Sequence, residues 1–366
     1  MFERRLHRHL DWLLLAAVVL LTGIGLVMIY STTYDVVHGR VGTEFYKQLY
    51  AALLGLGALA VCLAIDYRTL AEYSLVIFAG IALLLLYVLL FGFVAGGARR
   101  WIDLGPMNLQ PSEFAKPALA LVVATFFAEN RRGAGNWSDL AIASVFVAVL
   151  GGLIARQPDL GTAVTLVPIF LGIAFVAGMR MKVVAALLAL ALVAAPVAWA
   201  FALKEYQKSR IETFLDPEKD ARGAGYQQIQ ARITVGSGGL TGKGFLQGTQ
   251  GQYKFLPVAH NDFVYSVLAE EHGFVGVLVT LGLYLLVILR SLDAARLAKD
   301  RLGAYLVVGL ISGFTFQVVY NVTMSAGLAP VKGLPLPLLS YGGSSIMATL
   351  ASFGLVLNVR MRRFTN

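Results

Sequence analysis

Cysteine is almost absent: Cys62 is the only one in 366 residues. A lone thiol forms no intrachain disulfide and no thiolate metal site. Charge is scarce too. Asp, Glu, Lys and Arg make up 14% of the chain, against roughly 25% in an ordinary soluble domain. The histidines, at positions 7, 9, 38, 260 and 272, show no metal-ligand spacing. A nucleotide loop is missing as well, although Gly236–Gly244 is glycine-rich. A P-loop ending at Lys243 needs glycine where Ser237 stands and Ser or Thr where Gly244 stands. The dinucleotide spacing fails at Thr241, where a third glycine is required.

What the chain has is apolar surface. Hydrophobic residues make up 58%, and the mean hydropathy is +0.72. The composition predicts an all-α polytopic membrane protein forming a single domain over residues 1–366. Ten apolar runs are long enough to be spans: 11–30, 48–65, 73–94, 114–128, 141–155, 162–178, 183–203, 263–289, 303–326 and 343–360. An even count places both termini on one side, and basic residues select the cytoplasm. Arg4, Arg5, Arg8, Arg68, Arg131, Arg132, Arg180, Lys182, Arg290, Arg296, Lys299, Arg301, Arg360, Arg362 and Arg363 then lie inside. The short outer loops hold only Arg40, Lys47, Arg99, Arg100, Arg156 and Lys332. The run after Arg4, Arg5 and Arg8 reads as a retained signal anchor. The net charge of +9 fits basic inner loops and anionic lipid, with no nucleic-acid partner implied.

One connection is long. Residues 204–260, between the seventh and eighth runs, carry eight basic residues and no low-complexity tract. A loop of this length is functional or disordered, and its aromatics and apolar residues favour an ordered outer loop. Long loops translocate largely regardless of charge, so its basic residues leave the orientation unchanged.

Polar residues that carry chemistry gather on this predicted outer side. Asp262 stands where the long loop meets the eighth run. It is either the cap of that helix or a partly desolvated general base, with His260 two residues away to share the work. Glu270 and Glu271 follow on the same helix, off the Asp262 face. Glu113 and Lys116 are three apart on one helix face, and Pro117 kinks the helix beside them. The pair either snorkels or lines a cavity, and its apolar flanks favour the cavity. Arg99, Arg100 and Trp101 form either a solvated loop tip or a headgroup-level clamp for a lipid pyrophosphate. Asp159 reads first as the cap of the sixth run. Lys243 and the glycine run are either a flexible turn or a backbone nest that receives phosphate. Ser344 and Ser345 open the tenth run as cap or anion site, with Asn321, Pro335 and Pro337 as a further wall.

Taken in order, several blocks resemble one family. They are Ala98-Arg-Arg-Trp-Ile102, Gln110-Pro-Ser-Glu113 with Lys116, Gln157-Pro-Asp-Leu-Gly-Thr162 and Phe214-Leu-Asp-Pro217. Gly225-Tyr-Gln227, Gly236-Ser-Gly-Gly239, Gly242-Lys-Gly244 and His260-x-Asp-Phe263 follow. Pro335-Leu-Pro337 and Ser340-Tyr-Gly-Gly-Ser-Ser345 close the series. Nearly end to end, the chain resembles the SEDS family (shape, elongation, division and sporulation) of bacterial peptidoglycan glycosyltransferases. The resemblance implies ten membrane helices, an outward cavity, polymerisation of lipid II, and Asp262 at the family's essential aspartate. It implies as partners a class B penicillin-binding protein and other membrane proteins of the elongation complex. Two departures stand out: Val258 follows Pro257 where the family usually has Glu, and Asn261 stands where Thr is usual. The Gly-Lys-Gly wording and short termini look more like RodA members than FtsW members.

The implied reaction is an inverting glycosyl transfer, with Asp262 taking the acceptor hydroxyl proton and undecaprenyl pyrophosphate leaving. Arg99, Arg100, Lys116, Arg210 and Lys243 are the candidate cations for the departing charge. A divalent cation, Mg or Mn, is open to share that work, although no dedicated carboxylate cage for one is evident. A lipid II flippase and a non-catalytic scaffold for the partner synthase are the competing readings. A flippase needs polar groups through the full membrane depth, whereas these concentrate on one side.

Overall fold

The computed structural model describes residues 9–35, 38–95, 98–105, 107–130, 136–197, 199–200, 205–220, 224–253, 255–256 and 259–364. The basic run at Arg4, Arg5 and Arg8, the loop pair Arg131 and Arg132, and the departure at Pro257-Val258 lie outside the described residues.

Among the described residues each of the ten apolar runs overlaps a helix, the run 183–203 extending beyond the described residues. The helices are α1 (Trp12–Thr33), α2 (Thr43–Ala64), α4 (Ser74–Phe91), α5 (Pro111–Glu129), α6 (Trp137–Arg156), α7 (Leu160–Val176), α8 (Met181–Val197), α12 (Val264–Arg296), α13 (Arg301–Ser325) and α14 (Gly343–Met361). Short α3 (Tyr67–Glu72) joins α2 to α4. The long connection folds into α9 (Glu205–Leu215), α10 (Ala224–Ser237) and α11 (Thr249–Gln252). Seven of the helices, namely α1, α2, α4, α6, α12, α13 and α14, are long and apolar enough to cross a membrane, and α7 is a shorter apolar helix. The protein is therefore a mostly helical, multi-pass membrane protein.

The chain is mostly helical, as the sequence predicts, and the strands among the described residues are short and confined to connections. Two small antiparallel sheets sit in the connections at one end of the bundle. Strands β1 (Tyr34–Asp35) and β2 (Arg40–Val41) pair between α1 and α2. Strands β3 (Phe93–Ala95), β4 (Ala98–Asp103) and β5 (Asn108–Leu109) pair between α4 and α5. Chain leaving an apolar helix must still satisfy its backbone groups, and short hairpins do so locally.

Helices approach closely where side chains are small, as membrane packing favours. A Cβ on Gly55 of α2 would stand 2.7 Å from Leu350 of α14, and one on Gly354 of α14 would stand 2.6 Å from the Leu59 carbonyl oxygen. On α13, Gly309 and Gly313 take the side chains of Ile173 and Ile169 from α7 in the same way.

The two ends of the bundle are held differently. At the end where α1 starts, aspartates cap helices and pair with arginines at once. The Asp11 carboxylate accepts from Leu14 N at 3.1 Å, from Arg290 Nε and Nη2 at 3.0 Å each, and from Arg360 Nη1 at 2.7 Å. Asp66 pairs with Arg362 at 3.0 Å, and Asp300 caps α13 and pairs with Arg68 at 2.9 Å. At the far end the connections interlock by hydrogen bonds to backbone. Gln48 donates to Ser340 O and accepts from Gly342 N, at 3.3 and 3.0 Å. Tyr341 N donates to His260 O at 2.8 Å.

Candidate active site

Asp262 lies at this far end, in the turn over residues 259–262 that leads into α12. The helix cap is Phe263, and no side chain caps it. Among the described residues the Asp262 carboxylate makes neither a hydrogen bond nor an ion pair, so the capping reading is set aside. The side chain faces the connection between α13 and α14: a Cβ on Gly333 would stand 3.7 Å from Asp262 Oδ2. Gly333 itself has a φ of +63°, a conformation glycine adopts without steric cost.

On either side of Gly333, side chains hold that connection at the carbonyls of Pro330, Val331 and Leu334. Tyr320 Oη donates to Pro330 O at 2.8 Å, Arg210 Nη1 to Val331 O at 3.3 Å, and Asn321 Nδ2 to Leu334 O at 2.7 Å. Arg210 comes from α9 in the long connection. Burial pushes the Asp262 carboxyl up to about 6, and the Arg210 guanidinium partly opposes the rise. Between the residue that Arg210 holds and the glycine beside Asp262 stands Lys332. Burial, then the Arg210 charge, pushes its ammonium down. Sequence reasoning left Lys332 among the loop charges. The cue available was its place between two residues with backbone roles, in a loop otherwise nearly free of charge.

His260 stays close without joining Asp262. Its ring stands edge-on to Tyr341, with centroids 5.5 Å apart. Burial lowers its pKa, with Glu44 partly opposing. The ring packed on Tyr341, with the His260 carbonyl accepting from Tyr341 N, supports the turn.

Glu113 and Lys116 are buried at the start of α5. Lys116 Nζ donates to Glu113 Oε2 at 2.7 Å and to Gln317 Oε1 of α13 at 3.1 Å. With Pro117, Phe314, Thr349 and Phe353 they line a pocket between α5, α7, α13 and α14. Gln317 is a member of this pocket that the sequence did not single out.

The remaining candidates are held in structural bonds. Arg100 Nε donates to Gln157 O at 2.9 Å and its Nη2 to Pro158 O, so this guanidinium braces the turn before α7. Arg99 Nη1 reaches Leu90 O at 3.1 Å from an exposed position, and Trp101 is half-buried on β4. Asp159 caps α7 through Thr162 N at 3.2 Å and accepts from Gln110 Nε2 at 2.9 Å. Ser344 Oγ accepts from Gln110 N at 2.7 Å and donates to Asn108 O at 3.3 Å, tying α14 to β5. Ser345 is buried beside it.

Lys243 and its glycine run correct both readings offered for them. Helix α12 breaks at Gly273, where φ is 65° and ψ −164°. A break there deprives Glu270 O and Glu271 O of their usual donors, Phe274 N and Val275 N. The glycine run supplies substitutes. Lys243 N donates to Glu270 O at 2.9 Å and Gly244 N to Glu271 O at 3.0 Å, while Phe274 N and Val275 N donate to Gly239 O and Leu240 O at 2.9 and 3.1 Å. The run is thus neither a loose turn nor a vacant phosphate nest. Its amides repair the broken helix. Lys243 Nζ is engaged as well, by Glu270 Oε1 at 2.7 Å and Thr249 Oγ1 at 2.8 Å.

Fold and site together define a multi-pass membrane protein that holds the half-buried Asp262 carboxylate, unpaired among the described residues, near Arg210 at one end of its bundle. The sequence pattern of the FtsW/RodA/SpoVE cell cycle proteins matches residues 11–364. The chain belongs to that family. It is 37% identical over 356 residues to the peptidoglycan glycosyltransferase MrdB of Escherichia coli K12, covering 97% of this chain and 94% of MrdB. It is 36% identical over 359 residues to a probable peptidoglycan glycosyltransferase FtsW of Geobacter metallireducens, covering 96% and 95%. Its fold matches a chain of a peptidoglycan synthase complex, solved for its coordination of polymerization and crosslinking. There the TM-score is 0.84 at 35% identity, over 98% of this chain and 99% of that one.

Proposed function

We propose that the protein polymerises lipid II into glycan strands for cell elongation, at a site on the extracytoplasmic face of the bacterial inner membrane. The observation that carries this reading is the Asp262 carboxylate, without a hydrogen bond or ion pair among the described residues and within reach of the Arg210 charge. A carboxyl near 6 is ionised at neutral pH and accepts a proton more readily than a solvated aspartate. Asp262 takes the proton from the 4-hydroxyl of the acceptor's N-acetylglucosamine. That oxygen bonds to the anomeric carbon of the donor's N-acetylmuramic acid as the carbon–phosphate oxygen bond breaks, and undecaprenyl pyrophosphate leaves with the electron pair. One base suffices for this inversion, without a covalent intermediate. Arg210, whose charge acts on Asp262, is placed to offset charge on the departing pyrophosphate.

Ten membrane crossings with both termini cytoplasmic agree with ten helices on ten apolar runs, and with the basic residues of the inner connections. The Glu113–Lys116 pocket, below the carboxylate along the bundle, suits the lipid-linked end of the substrate. Among the described residues no three His, Cys, Asp or Glu side chains gather to hold a metal. Mg or Mn, if bound, would share with the basic residues the charge on the departing pyrophosphate. A class B penicillin-binding protein as partner is supported by likeness to a complex that joins polymerization to crosslinking. The test is lipid II polymerisation by purified protein, with and without chelator, against Asp262→Ala. Polymerisation that survives the substitution rejects the base. Loss of lipid transport with polymerisation absent from the wild type favours the flippase reading.

A further inference from the structure

Asn321 is fully buried near the end of α13, at 0% exposure. Its amide nitrogen makes two hydrogen bonds to two separate connections: Leu334 O at 2.7 Å and Asp262 O at 3.0 Å. Its Oδ1 is buried without a partner. This orientation is dictated by the carbonyls, since turning the amide would press Oδ1 against two oxygens at hydrogen-bond distance. A buried acceptor left unmet costs free energy, so the arrangement sacrifices one bond to keep both donors on the two loops. Tyr320 and Arg210 also hold the connection after α13, but at Pro330 and Val331. Among the described residues Asn321 alone joins that connection to the backbone of Asp262 by a side chain.

We propose that Asn321 is a positioning residue for the candidate base. Its two N–H groups set the distance between the Asp262 turn and the Lys332–Gly333 wall, and so fix where the carboxylate meets substrate. Asn321 touches no reacting atom and exchanges no proton. The inference rests on Asp262 acting as the base.

The consequence is separable from ordinary stability. Asn321→Ala removes both donors, and Asn321→Ser keeps a hydroxyl able to serve one carbonyl. With purified full-length protein and lipid II as substrate, Asn321→Ala is expected to lower kcat at least tenfold with KM within about twofold, the mark of an interaction realised in the transition state. The acid limb of its pH–rate profile is expected to move, because the carboxylate's surroundings change with its position. Asn321→Ser is expected to fall between it and the wild type, which also serves if the alanine variant does not fold. Unchanged kcat in a folded variant overturns the proposal. So does a loss that only tracks the folded fraction while the acid limb stays in place. Asp262→Asn is assayed in parallel: activity retained there rejects the base itself, whereas an inactive Asp262→Asn beside an unaffected Asn321→Ala or Asn321→Ser rejects only the positioning role.

Discussion

Replacing Asp262 by Asn should make the protein more stable while abolishing its activity. Burial raises this carboxyl from the usual 3.8 to about 6. The folded chain therefore holds the Asp262 proton more tightly than the unfolded chain does. Where the folded state binds more protons, stability falls as pH rises. The penalty is absent below about pH 4, grows through the interval up to about 6, and is complete above it. At about 1.36 kcal/mol per pH unit, it reaches at most about 3 kcal/mol. Asparagine has nearly the same shape and carries no such penalty. Unfolding in detergent, followed for both proteins from pH 4 to pH 8, should show equal stabilities at the acid end and a gain of up to about 3 kcal/mol at the alkaline end. Lipid II polymerisation at pH 8 should fall by about 10²–10⁴-fold, the usual worth of a general base. A variant less stable than wild type at pH 8, or a difference that ignores pH, refutes the argument that desolvation raises this carboxyl.

Removing the Arg210 charge acts on the same group. Arg210→Ala takes away the influence that lowers the Asp262 pKa, so the acid limb of the rate profile should move upward and activity at pH 6 should fall more than at pH 8. Glu270→Gln leaves Lys243 without its counter-ion and breaks a buried pair, which costs about 3 kcal/mol or more. Unfolding measurements, together with faster proteolysis of residues 244–253, would check it. Gly273→Ala forces a side chain into a conformation confined to glycine, at about 1–3 kcal/mol, and drives it against Gly242 N and Leu240 O. The expected result is a lowered melting temperature that no neighbouring side-chain substitution restores.

Long apolar runs made the helices legible, because a bilayer imposes length and composition together. The 48–65 run still missed the start of α2 at Thr43, where Glu44 and Lys47 interrupt the apolar pattern. Strands β1 to β5 left no trace, since two to six residues are too few to set an alternation. The break at Gly273 was hidden inside an apolar run, as a single glycine there reads as continuous helix. Asp262 was legible from its place between a polar loop and an apolar helix. Its company was partly so. Arg210 was singled out as a cation, but the wall formed by Lys332 and Gly333 depends on contacts about seventy positions away in sequence. Arg100, Asp159, Lys243 and Ser344 show the converse. Polar side chains at a bundle end are as readily consumed by backbone groups as by ligands, and sequence does not say which.

The joint between the glycine run and α12 is made from main chain on both sides. Its tolerances are therefore those of chain length, together with the glycines that let the two segments approach. The four bonds span Gly239 to Gly244 on one strand and Glu270 to Val275 on the other. Removing one residue between Leu240 and Lys243 would put the Gly239–Leu240 pair of bonds out of register with the Lys243–Gly244 pair, with no side chain able to compensate. Insertions in the outer connections should accordingly be borne elsewhere, leaving this short interval fixed in length while its neighbours drift.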